Sequence, residues 1–104
     1  MMWRVGFLPE VEEDVAGAAA WYEIRQPGLG ADFVEEVVRV WDSLAENPKL
    51  NSRRHSTRNI RWRYPDRFPY RIIYEVIEKK RIVVVAAVFH AARRDSEWKR
   101  RFEP

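Results

Sequence analysis

The sequence predicts an α+β fold in the order βααβββ. A helical hairpin would pack on one face of a curved, mainly antiparallel sheet, with room for a short C-terminal helix. Three observations predict it. Residues 10–46 hold two stretches with apolar groups at helical spacing, separated by the break Gln26-Pro27-Gly28-Leu29-Gly30. Ile60, Trp62 and Tyr64, and then Tyr70, Ile72, Tyr74 and Val76, alternate with other residues as strand positions do. Residues 81–89 form an almost unbroken apolar run suited to a central strand.

Each element has its local reason. Trp3 to Leu8 alternates loosely and is short, a first strand that Pro9 ends. Val11, Val15, Ala18, Ala19 and Tyr22 then recur at helical spacing, and Glu10, Glu12, Glu13 and Asp14 sit where the positive end of the helix dipole favours anions. Gly28 is available for a left-handed cap between the helices. Asp32 and Glu35 resemble a capping pair for the second helix, whose wide apolar stripe is Phe33, Val34, Val37, Val38, Trp41 and Leu44. Asn47-Pro48 stops it. Residues 49–58 are polar and aperiodic, hence loop. Asp66-Arg67-Phe68-Pro69 and Glu78-Lys79-Lys80 are the turns between the later strands, and Arg94 to Phe102 can form a short helix anchored by Trp98.

Composition narrows the function classes. A chain of 104 residues without cysteine fits one domain spanning 1–104, with no disulfide framework, thiolate metal site or cysteine nucleophile. No apolar run approaches the roughly 18 residues of a membrane span, and Met1-Met2-Trp3-Arg4 opens no secretory leader, so a soluble cytoplasmic protein with no membrane partner is expected. The net charge of +3 conceals a split. Residues 1–47 carry three basic and ten acidic groups, a net −7; residues 48–104 carry sixteen basic and six acidic, a net +10. Fifteen of the nineteen cations are arginine, whose planar fork suits phosphate or carboxylate, although a solvated basic face would read the same way.

Chemical motifs are sparse. The chain has no nucleophile elbow, no phosphate-binding glycine loop and no paired-histidine metal spacing, so neither a metal nor a cofactor is expected. Of the two histidines, His55 lies in an irregular loop and reads as a surface group, whereas His90 ends the most apolar strand. His90 suits an acid or base near neutral pH, and equally a strand-end residue bonded to the backbone. Arg61, Arg63 and Arg71 are expected to share one sheet face, because same-face positions repeat every two residues. Closed by His90, such a face would suit a phosphodiester; the alternative is a solvated face paired with Glu75. Trp62, Tyr64 and Tyr70 read as core rather than base-stacking groups.

Taken in order, several segments resemble a known family: Trp21-Tyr22, Pro27-Gly28-Leu29-Gly30-Ala31-Asp32-Phe33, Pro48, Arg67-Phe68-Pro69-Tyr70-Arg71-Ile72-Ile73-Tyr74, and Ala87-Val88-Phe89-His90-Ala91-Ala92-Arg93-Arg94-Asp95 with Trp98. Over residues 3 to about 101 the chain resembles the RelE/ParE superfamily of toxins from bacterial type II toxin–antitoxin modules. The resemblance implies a toxin held inactive by a cognate antitoxin, with which it would form a hetero-oligomer. ParE-like members poison DNA gyrase; RelE-like members cleave messenger RNA on the ribosome. The Phe-Pro-Tyr segment and the His-x-x-Arg-Arg-Asp ending are closer to the ParE side, a branch tied to plasmid stabilisation, which makes gyrase inhibition the first reading. The second is a RelE-like nuclease, for which Arg71 matches a phosphate-contacting arginine and His90 a general acid or base. Ala91 departs from that pattern, where the nuclease type has tyrosine. A third reading is a non-toxic binding module on the same fold. Arg61, Arg63, Arg93 and Arg94 are the expected target- or nucleic-acid-binding residues, and Trp21, Ile24, Leu29 and Val40 the expected antitoxin contacts.

Overall fold

The computed structural model describes residues 2–50, 52–55 and 58–103. Its elements run β1 (Arg4–Phe7), α1 (Glu10–Arg25), α2 (Leu29–Glu46), β2 (Arg53–Arg54), β3 (Ile60–Arg63), β4 (Tyr70–Ile77), β5 (Ile82–His90) and α3 (Asp95–Lys99), with short 3-10 turns at Glu78–Lys80 and Arg100–Phe102. The strands form one mixed sheet in the order β1-β5-β4-β3-β2. β1 lies parallel to β5 and every other pairing is antiparallel. The α+β expectation holds, with β5 an interior strand between β1 and β4.

Two corrections concern local structure. Arg53–Arg54, expected as loop, pair with Trp62 and Arg61 and make β2 the outer strand; Asn51, Ser56 and Thr57 of that stretch lie outside the described residues. The second helix also starts three residues before Asp32, so the Asp32–Glu35 pair is not its cap. Gly28 occupies the cap position at φ 92°, a conformation that costs a residue with a Cβ roughly 1–2 kcal/mol. Having no side chain, Gly28 cannot cap, and Glu23 does so instead: its carboxylate accepts from Gly28 N–H at 2.9 Å and Gly30 N–H at 3.1 Å. One acid from the end of α1 thereby satisfies the orphan donors that open α2.

The sheet has a packed side on each face. Between the hairpin and the sheet, Val11, Val15, Phe33, Val37 and Leu44 of the helices meet Ile72, Tyr74, Val83, Val85 and Val88 of the strands, all buried. Under α3 lie Ile60, Ile73, Ala87, Phe89 and Trp98, with Trp62 and Phe102 at the margin. Burying each of the larger side chains favours the fold by about 1.5–3 kcal/mol. The hairpin approaches closely at Gly30, where a Cβ would stand 2.5 Å from Ala19 O.

One irregularity sets the orientation of everything after it. Ile73 pairs with Ala87 while Tyr74 pairs with Val85, so Ala86 bulges out of the β4–β5 ladder. Without it, the side chains from Ala87 to His90 would exchange faces. No described helix is long and apolar enough to cross a membrane.

Candidate functional site

The register places the expected site residues on opposite faces. Arg61 pairs with Tyr74 and Arg63 with Ile72, positions turned toward the hairpin, whereas Arg71 pairs with Phe89 beneath α3. His90 pairs with Tyr70 and returns to the hairpin side. The expectation that Arg61, Arg63 and Arg71 share one face closed by His90 is therefore corrected. Same-strand parity is fixed by the pleat, but parity between β3 and β4 depends on register.

Arg71 is locked in place. Its side chain is only 7% exposed, donates to Asp95 Oδ1 at 2.8 Å and to Arg93 O at 3.0 Å, and lies 5.7 Å from the Trp62 ring. Trp98 Nε1–H donates to the same Asp95 oxygen at 3.2 Å. The Arg71 hydrogen bond is the main cause holding the Asp95 carboxyl below its ordinary pKa, against a smaller opposing effect of burial. The chemistry of this cluster is attachment: β4 grips α3.

Arg63 is equally engaged on the other face, donating to Ser43 Oγ at 2.6 Å and to Asn47 O. Nearby, the Tyr74 hydroxyl donates to Pro48 O at 2.5 Å, and burial pushes its pKa up. Arg61, half-buried, donates to Asn59 Oδ1 and Ser52 Oγ, each at 3.0 Å. These bonds tie the end of α2 and its loop to the sheet.

His90 does reach an accessible groove. The groove has a volume of about 510 Å³ and is walled by Glu13, Trp21, Tyr22 and Tyr70, with Arg93 at one side. His90 Nδ1 accepts from Ala92 N–H at 3.0 Å, which leaves Nε2 to carry the proton of the neutral ring. Burial pushes the Tyr22 and Tyr70 hydroxyls above the usual phenol range, so both remain protonated donors near neutral pH. Arg93 is exposed, paired with Glu97 at 2.7 Å and stacked 3.6 Å from the Phe89 ring centre; Arg94 is exposed beside it. Among the described residues, no three His, Asp or Glu side chains cluster as metal ligands.

The expected antitoxin contacts also divide. Trp21 is 48% and Ile24 83% exposed, with the Arg25 guanidinium 3.2 Å from the Trp21 ring centre. Leu29 and Val40 are partly buried against the main core.

A model of the ParE toxin of the type II toxin–antitoxin system parDE matches residues 5–95, most of the chain. The chain belongs to the ParE toxin family. No curated relative matches it by sequence. Its fold is similar to a chain of the chromosomal ParDE toxin–antitoxin system of P. aeruginosa, with a TM-score of 0.72 and 14% identity over 86% of this chain and 96% of that one. An E. coli RelE toxin mutant in the free state gives 0.66 and 19% over 99% and 100%, and the RelBE2 toxin–antitoxin complex of Mycobacterium tuberculosis 0.59 and 18% over 86% and 99%. At these identities the likeness is one of fold. This ParE-family chain is a toxin of a type II module on the RelE/ParE fold.

Sequence reading missed the clamp that joins the two ends of this toxin. Asp14, 7% exposed in its side chain, accepts from Arg101 Nη1 at 2.6 Å, Arg101 Nη2 at 3.0 Å and Val88 N–H at 3.0 Å. Arg101 also donates to the bulged Ala86 O at 2.9 Å. β1 pairs with β5 only as far as Val85, so these two side chains take over the strand edge where β1 leaves off. The available signal was Asp14 itself, read only as a helix-dipole anion although three other acids already serve that turn.

Proposed function

We propose that this toxin is held inactive by a cognate antitoxin and acts by binding DNA gyrase, not by cleaving RNA. The observation that carries the reading is the separation of Arg71 from His90. A nuclease mechanism on these residues needs the guanidinium at the phosphate and the imidazole at the moving proton of one substrate. Arg71 instead points beneath α3, its Nη1 bonded to Asp95 and its Nη2 to Arg93 O, while His90 opens on the hairpin side. Inhibition by binding needs an accessible surface, and exposed Arg93 and Arg94 at the end of β5 supply one. The antitoxin contact we infer is the tip of the hairpin, Trp21 and Ile24, with Leu29 and Val40 supporting it from the core side. Action on gyrase makes the cytoplasm its place of work.

The second reading, ribosome-dependent cleavage of messenger RNA, draws on the presence of both His90 and Arg93 along one groove. Purified toxin added to gyrase and relaxed DNA should block supercoiling or trap cleaved DNA, and Arg93→Glu/Arg94→Glu should weaken that effect at least ten-fold. Unimpaired gyrase at micromolar toxin, together with A-site cleavage on translating ribosomes, would reverse the order of the two readings.

A further inference from the structure

A groove of about 390 Å³ beside α3 gathers four arginines, Arg93, Arg94, Arg100 and Arg101, with Glu97 as the acid among its walls. Two of the four are already matched. Arg101 is paired with Asp14 at 2.6 Å and Arg93 with Glu97 at 2.7 Å, and their guanidiniums lie 4.5 and 3.6 Å from the Phe89 ring centre. Arg94 and Arg100 are exposed, as is Lys99 beside Arg100, and none of the three forms an ion pair among the described residues. The groove therefore keeps uncompensated positive charge at both ends of α3.

The backbone that presents these cations is fixed. Arg93 N–H donates to His90 O at 2.9 Å and Ala92 N–H to His90 Nδ1 at 3.0 Å, which closes the turn leaving β5. Glu97 N–H donates to Arg94 O at 3.1 Å, so Arg94 stands at the start of α3 and Arg100 at its end. Trp98, fully buried, anchors the helix to the sheet. Cations carried on a fixed backbone give up little freedom when they bind an anion.

The walls discriminate among polyanions. An acidic protein segment brings apolar side chains as well as carboxylates, and this groove has only Phe89, 1% exposed, to receive them. Single-stranded nucleic acid is held by stacking its bases on exposed rings. On this face Phe89 and Trp98 are buried, and the Arg58 guanidinium lies 5.3 Å from the Phe102 ring centre. A double helix needs no such platform, because its bases are already stacked and its phosphates present dense charge. The planar forks of Arg94 and Arg100 suit phosphate oxygens, and Ser96, exposed in the same groove, adds a hydroxyl donor.

We propose that the groove beside α3 binds double-helical nucleic acid along its phosphate backbone, through Arg94, Lys99 and Arg100. Contacts to phosphate carry no base information, so binding is independent of sequence. The proposal goes beyond gyrase inhibition and stands without it, and no gyrase enters its test.

The test is fluorescence anisotropy of the full chain with a labelled DNA duplex, and with an RNA duplex of the same sequence to distinguish the two sources of the backbone. Three phosphate contacts predict a slope of about −2.7 in log K against log salt, a loss of roughly 40-fold between about 50 and 200 mM. Arg94→Gln/Arg100→Gln should reduce that slope to about −0.9 and weaken binding at low salt at least ten-fold. Lys79→Gln/Lys80→Gln removes the same charge from the exposed turn before β5 and should leave the slope unchanged. In nitrogen-15 spectra the duplex should shift the amides of Arg94, Ser96 and Arg100, and a duplex of scrambled sequence should do the same. A preference for DNA or for RNA names which double helix is bound. Equal effects of the two double variants, tighter binding of the matching single strand, or tighter binding of poly-glutamate would overturn the proposal.

Discussion

Asp14→Ala is the most informative single perturbation, because one side chain holds three elements together. The change would leave the Arg101 guanidinium, 16% exposed, with Ala86 O as its hydrogen-bond partner among the described residues, and would orphan Val88 N–H on an edge that β1 does not cover. Removing one partner of a buried ion pair costs about 3–5 kcal/mol. Partial access of water to Arg101 puts the expected loss at the lower end, about 3 kcal/mol. For a chain of this size that corresponds to roughly 12–24 °C in Tm. The assay is urea unfolding followed by circular dichroism, on Asp14→Ala, Arg101→Met and the double variant. Each single change leaves the other partner buried without its counter-charge, whereas the double removes both charges. The double should therefore be about 2 kcal/mol more stable than the two single losses added together. Asp14→Asn retains an acceptor for Val88 N–H and should lose less than Asp14→Ala. Additivity within about 0.5 kcal/mol would refute the clamp.

Two further outcomes follow from the same geometry. Asp95 has its pKa depressed by Arg71, so its contribution is complete above the ordinary carboxylate pKa and is lost as pH falls through the depressed value. Because the Asp95 side chain is half exposed, solvent screening keeps that effect small; it should appear as an acid-induced change in Trp98 fluorescence, referenced to Trp98→Phe, that Asp95→Asn removes. Gly30→Ala gains up to about 1 kcal/mol of helix propensity, yet its methyl would meet Ala19 O at 2.5 Å. Overpacking of this kind costs about 1–3 kcal/mol, so the urea midpoint should fall with the m-value unchanged, and a rise would show that the hairpin can open freely there.

Legibility followed periodicity. The two helices, β3 and β4 were readable because each has enough turns or alternations to reveal its period, β5 because its unbroken apolar run marks a covered strand, and Trp98 as the anchor of a polar tail. Arg53–Arg54 was not readable, since a two-residue strand of arginines has no alternation and gains its identity only by pairing with β3. The Ala86 bulge was hidden inside a run where every residue is apolar, and with it went the face on which His90 would emerge. The shared-face expectation for Arg61, Arg63 and Arg71 failed at the same level, since inter-strand register is a tertiary quantity. One signal in the second helix was on the page but assigned to the core: Val34 and Val38 widen its apolar stripe beyond what a single buried face needs, and both remain about a third exposed.

The charge split changes meaning once the pairs are placed. Asp14 of the acidic half meets Arg101, and Asp32 and Glu36 meet Arg67, so part of the opposition between the halves is internal attachment of hairpin to sheet. Asp14, Arg101 and Glu36 are largely buried in these pairs and are not available to a partner, whereas Asp32 and Arg67 stay about half exposed. What remains on each side is more localised. Glu12, Asp42 and Glu46 border the apolar grooves beside β1, while Arg94 and Arg100 stand exposed around α3 with Arg93. The two poles are of opposite sign and stand on separate elements with different apolar neighbours, so each attracts charge of the other sign. Under the proposed function, in which one partner silences the toxin and another is its target, competition between the two would depend on overlap of their bodies and not on a shared binding charge.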